Sequence, residues 1–215
     1  MGILSFGIFD GFEKRTGPLV GRIVNNKHVI SIVQHAPTAP PTLAQLKQQA
    51  KFKLVVMLMV RVRQLIVLGF ADNKIANPFN AAVKYNFKKI ITGVYPNYGI
   101  DYSKVLYNRG KIEGPASPQV GMGVDSIVFS WQAGTQNQFS RLTDLANFLV
   151  YSPQFRQSFI AIGEAKRSTL GYNMVLPSGF SELELHCYMG FTSADKAGAG
   201  NSLYLGCFIN GILIN

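Results

Sequence analysis

The sequence predicts an α+β chain: an N-terminal β-hairpin, a helical hairpin, and then an immunoglobulin- or fibronectin type III-like β-sandwich. Three observations predict it. Two β-branched runs, 19–24 and 28–33, flank Asn25-Asn26-Lys27. Apolar residues recur at helical spacing over 43–68. From about Ile100 onward, short alternating runs separated by turn residues take over. The expected division is a basic region of hairpin and helices over 1–99, followed by a sandwich domain over 100–215.

The hairpin follows from its turn, because Asn tolerates the left-handed backbone that a tight connection needs. A lone hairpin is marginal in water, so it must lie on its own chain or on a neighbour. Pro37-Thr38-Ala39-Pro40-Pro41 breaks the pattern, and Thr42 is placed to cap a helix. Its apolar stripe runs through 43, 46, 50, 54, 58, 62 and 65, with Lys47, Lys51, Arg61 and Gln64 off it. Residues 54–60 are apolar all round, which implies burial on more than one side. A second helix starts at Asn77 as cap and Pro78 as first residue, with Gly93 as terminator. Phe79, Ala82, Val83, Phe87 and Ile90 form its apolar face; Lys84, Lys88 and Lys89 lie elsewhere. An antiparallel pair is the simplest arrangement.

Seven strands are expected, at 102–107, 126–132, 145–151, 157–162, 171–176, 182–191 and 202–209. Trp131 alternates with Ile127 and Phe129 and should face a core shared with Phe148, Leu185 and Leu205. Leu183, Leu185, Cys187 and Met189 form one face of their strand; Glu182, Glu184, His186 and Tyr188 form the other. Leu203, Leu205, Cys207 and Ile209 repeat the inward pattern. A symmetric hairpin centred on Ala197 would set Cys187 opposite Cys207 as buried neighbours, with free thiols expected in a reducing compartment.

Composition bounds the function classes. The 215 residues are 47% hydrophobic and only 15% charged, too apolar for a disordered chain. The net charge of +10 is uneven, since residues 1–111 hold 16 of the 21 Lys/Arg. Either that half meets an anionic partner or a basic helical face solubilises an apolar segment. Arg61 and Arg63 interrupt the apolar run 54–68, which opposes a membrane span. No secretory signal is evident and the Met1-Gly2 start lacks the Ser/Thr of a myristoylation site. The expected localisation is cytoplasmic by default, with association with an envelope complex or a particle as the other option.

The segments PTLAQLKQQAKF (41–52), FNAAVKYNFKKIITGVYP (79–96) and IDYSKVLYNRG (100–110) resemble an uncharacterised Bacteroidota domain-of-unknown-function family. DLANFLVY (144–151) and the Y-M-G-F-T-S-A-D and N-S-L-Y-L-G phrases of 188–206 resemble its C-terminal part. The resemblance implies a glycine-rich N-terminal segment, a helical middle, a β-sandwich-like end and no established activity. Ser31-Ile32-Val33 stands where a basic residue is usual, which argues against an anion-binding role for the hairpin.

No catalytic, cofactor or metal site is expected. His28, His35 and His186 are scattered, and neither cysteine has zinc-ligand spacing. The glycine-rich stretch 121–126 leads into a strand rather than a helix and reads as a turn. Gly163 and Gly179 read as connections, and Asp101 and Asp125 would form an acid–base pair only by accident of folding. The expected function is a non-enzymatic structural or assembly protein that docks into a larger complex: an array, a virion-like particle or bacterial envelope or secretion machinery. A small-molecule substrate is not expected. The alternative is sequence-indifferent nucleic-acid binding through Lys47, Lys51, Lys53, Arg61, Arg63, Lys84, Lys88 and Lys89, with Tyr85 and Tyr95 nearby. In the assembly reading the main exposed apolar patch falls within 1–70.

Overall fold

The structure is a computed structural model that describes residues 3–4, 12–24, 26–35, 39–70, 77–180 and 182–214. Asn25 of the expected turn, residues 36–38 of the proline-rich break and most of the N-terminal motif lie outside them. The chain forms two compact units, Met1–Thr42 and Leu43–Asn215. They divide at 42/43 rather than at 99/100, because the helices share a core with the sheet that follows them.

The first unit is an antiparallel meander of β1 (Ile3–Leu4), β2 (Phe12–Thr16), β3 (Leu19–Val24) and β4 (Lys27–Ile32), in that order. The expected hairpin is its second half. Val24 pairs with Lys27 across the turn, and Asn26 takes the left-handed φ of 58° that the turn demands.

In the second unit α1 (Leu43–Arg61) and α2 (Arg63–Gly69) replace one expected helix. The break falls at Val62 (φ −109°, ψ 17°), where the Ser158 hydroxyl donates to the Arg61 carbonyl at 2.7 Å. α3 (Pro78–Phe87) starts as expected, with the Asn77 side chain accepting from the Phe79 N–H. It stops earlier than Gly93. The Lys89 and Ile90 N–H groups both turn back to the Asn86 carbonyl. The β-branched residues beyond form a hairpin of β5 (Ile91–Val94) and β6 (Asn97–Ile100), in which Gly93 is a strand residue with φ 78°.

Residues 102–107 are not a strand. Asp101 accepts from the Ser103 N–H and caps a 3-10 turn, Tyr102–Lys104. The strand that completes the sandwich is β7 (Ala116–Gly123), whose Pro118 and glycines hide it from a propensity reading. It survives because it is an edge strand with a bulge between Ala116 and Gln119, where a proline costs no ladder bond. The remaining strands are β8 (Ser126–Gln132), β9 (Leu145–Ser152), β10 (Gln157–Lys166), β11 (Gly171–Val175), β12 (Leu185–Thr192), β13 (Leu203–Ile209) and β14 (Ile212–Ile214). β14 returns through Asn210 (φ 50°) and Gly211 (φ 78°), a strong Asn-Gly hairpin signal that the seven-strand reading passes over. Gly163 lies inside β10 at a bulge, not in a connection.

Two antiparallel sheets result, β11-β8-β7 and β10-β9-β12-β13-β14. Their facing sides enclose one core, with Ile127, Phe129, Trp131, Phe148 and Leu185 buried and Leu205 half-buried against it. The opposite side of the larger sheet is covered too. Leu149, Tyr151 and Tyr188 pack in a second core with Val55, Leu58, Met59, Leu65 and Ile66 of the helices and Ala82 of α3. β12 is therefore buried along its whole length, so His186 and Tyr188 of the expected polar face are covered, while Glu182 (exposed) and Glu184 (half-buried) precede the strand. Of the described residues, 43% are strand and 22% helix, so the fold is mostly β.

Candidate functional site

Three buried polar arrangements organise the second unit. The first is Arg167, whose Nη2 lies 3.2 Å from Asp144 Oδ2 and donates to the Glu113 carbonyl at 2.8 Å. Its guanidinium stands 3.9 Å over the Phe191 ring, and its own carbonyl accepts from Trp131 Nε1. Every strong feature of this group is satisfied internally, so it reads as structural. The second is Asn86 on α3, which donates to the carbonyls of Ala82 and Leu106 and accepts from the Leu106 N–H. It holds the segment after the 3-10 turn against the helices.

The third is built on the helix-facing side of the larger sheet. His186 Nε2 is 2.9 Å from Glu184 Oε1, and its Nδ1 is 3.1 Å from the Tyr204 hydroxyl. The Tyr102 ring stacks on the imidazole at 4.1 Å, and the Tyr188 hydroxyl donates to the Tyr102 carbonyl. Burial lowers the His186 pKa, with Glu184 opposing. Cys207 joins this group. In β12–β13 pairing Cys187 stands opposite Gly206 and Cys207 opposite His186, so the symmetric register centred on Ala197 is not formed. The pairs nearer the turn, Tyr188 with Tyr204 and Met189 with Leu203, are already offset from that register, and a bulge beside Gly206 (φ 132°) then reverses the alternation that follows. Both thiols are free and buried, as expected, but they point to opposite faces. Burial raises the Cys207 pKa, and the Glu184 charge adds to it.

The other residues singled out in the sequence are not brought together. His28 and His35 are exposed in the first unit. Asp101 is bound to Lys104 and Ser103, whereas Asp125 turns the β7–β8 hairpin with φ 48°. The 121–126 glycine stretch is that hairpin, as expected.

The basic helical residues do share a region. Among the described residues of 43–111, eleven Lys/Arg face one acid, Asp101. Several lie over aromatic rings: Lys51 over Tyr98, Arg63 over Phe79, and Lys89 and Arg109 over Tyr85. Tyr95 meets Tyr98 edge to face rather than a cation. Between α1 and α3 lies an apolar groove of about 360 Å³, floored by Phe52, Phe79, Val83 and Phe87 and rimmed by Lys84 and Lys88. In the first unit the strand register places Leu19, Ile23, Ile30 and Ile32 on one face of the β3–β4 pair. All four are exposed, Ile32 to 70%.

A family profile described as "Family of unknown function (DUF6266)" matches residues 11–206. The chain belongs to that family. No curated protein matches this DUF6266 chain. The fn3 domain of the human collagen alpha-1(XX) chain is similar in structure, with a TM-score of 0.33 and 12% identity over 48% of this chain and 89% of that domain. No helix among the described residues is long and apolar enough to cross a membrane.

Proposed function

We propose that this DUF6266 chain is a non-enzymatic assembly protein that docks into a larger protein complex through apolar surface. The observation that carries this reading is the open face of Leu19, Ile23, Ile30 and Ile32 on a small sheet that forms no packed core among its described side chains. A sheet of this kind gains most of its stability from whatever covers it, at roughly 25 cal/mol for each Å² of apolar surface removed from water. The strand order β11-β8-β7 against β10-β9-β12-β13 supports reading the second unit as a fibronectin type III-like sandwich, a scaffold suited to presenting such a surface.

The test is the full chain recovered from its native cells after nuclease digestion and sized by sedimentation velocity at low and high salt. The expected result is a larger complex that persists at high salt, while a variant carrying Ile30→Glu and Ile32→Glu emerges alone. A wild-type chain that sediments as a monomer at both salt concentrations overturns the reading.

The second reading, sequence-indifferent nucleic-acid binding, rests on the eleven cations against one acid over the described part of 43–111. It predicts a complex that nuclease dissolves and an affinity that falls steeply with salt, because each neutralised phosphate releases counterions.

A further inference from the structure

We propose that Glu184, His186 and Cys207 form a binding site for a thiophilic divalent cation of the Zn²⁺ type. Their donor atoms, a carboxylate oxygen, an imidazole nitrogen and a thiol sulfur, all lie within 4.8 Å of one another. Tetrahedral zinc takes nitrogen and oxygen ligands at about 2.0–2.1 Å and sulfur at about 2.3 Å, which separates ligand atoms by roughly 3.3–3.8 Å. The 2.9 Å between His186 Nε2 and Glu184 Oε1 is thus slightly short of the spacing that two ligands of one ion keep. Small side-chain rotations open it.

The surroundings match what a ligating histidine needs. Nδ1 faces the Tyr204 hydroxyl at 3.1 Å, an outer partner that fixes the ring by accepting a hydrogen bond from Nδ1–H when Nε2 binds metal. Tyr102, stacked on the ring at 4.1 Å, restricts its rotation. Binding releases the Cys207 thiol proton to solvent. Thiolate and carboxylate then carry two negative charges against the two of the cation, so the occupied site is neutral and burial costs little. The mixed sulfur, nitrogen and oxygen set favours Zn²⁺ over the hard cations Mg²⁺ and Ca²⁺, which take oxygen ligands. Three protein ligands leave a fourth position open.

One local distortion creates the site. Regular alternation would aim Cys207 at the sandwich core beside Cys187, and the bulge at Gly206 instead delivers it to His186. Bulges commonly re-aim a side chain in this way next to functional sites. No linear motif announces the set, because Cys207 lies on β13, whereas His186 lies on β12 and Glu184 just before it.

The experiment titrates Co²⁺ into the reduced, chelator-stripped full chain and follows the thiolate-to-cobalt charge-transfer absorption. We expect saturation at one ion per chain, reversal by Zn²⁺, loss of the band in Cys207→Ser and its retention in Cys187→Ser. At least a tenfold weaker affinity is expected for His186→Asn. A folded wild-type chain without the band, or a band that survives in Cys207→Ser, overturns the proposal. Should the Ser variant fail to fold, the wild-type chain decides alone: Zn²⁺ must slow alkylation of Cys207 at least tenfold relative to chelated protein, and an unchanged rate refutes the site.

Discussion

Cys187 and Cys207 stand on neighbouring strands yet face opposite sides of the same sheet: Cys187 opposite Gly206 within the core between the two sheets, Cys207 opposite His186 beside Glu184. Oxidation of the native chain should therefore leave no Cys187–Cys207 bridge. Peptide mapping after mild oxidant treatment, with and without denaturant, checks this. A bridge formed without denaturant would show that the bulge at Gly206 relaxes into the symmetric register.

Arg167 and Asp144 form a buried ion pair at 3.2 Å, and each is almost inaccessible to water. Arg167→Ala leaves the Asp144 carboxylate uncompensated, and its loss should destabilise the chain by about 3–5 kcal/mol. Adding Asp144→Ala should recover part of that cost, because the stranded charge is then gone too. Urea unfolding followed by the fluorescence of Trp131, the single tryptophan, measures both variants.

Asn86 donates to the Ala82 and Leu106 carbonyls and accepts from the Leu106 N–H, so two of its three bonds to backbone go to Leu106. In Asn86→Ala the Leu106 N–H and carbonyl lose their partner, for a cost of about 2–4 kcal/mol. The Leu106 amide should lose hydrogen-exchange protection ahead of the sandwich strands. Exchange that accelerates uniformly across the chain would mean that the clamp has no local role.

Both hydrophobic cores are built within 43–215. A chain lacking residues 1–42 should consequently unfold at the same urea midpoint as the full chain, within about 0.5 kcal/mol of stability, the scatter expected for changes outside packed features. The same truncation should abolish the salt-resistant complex. Loss of folding on truncation would show that the first unit supports the second.

Local chemistry was enough to read some of the regular elements. β8 falls on residues 126–132 with Trp131 inward because a strand between two sheets repeats every two residues, and Ile127, Phe129 and Trp131 spell out that period. Asn77-Pro78 opens α3 through a side-chain cap and a preset φ, both properties of neighbouring residues. The β3–β4 hairpin rests in the same way on Asn26. What covers the second face of β12 is not a local property. His186 and Tyr188 read as a solvated face until Tyr102 stacks on the one and the helices pack against the other from elsewhere in the chain. β7 likewise exists only because β8 offers a ladder to a segment with poor strand propensity. The face taken by Cys207 depends on one inserted residue at Gly206, and a period-2 pattern has no means of recording an insertion that only pairing with β12 defines.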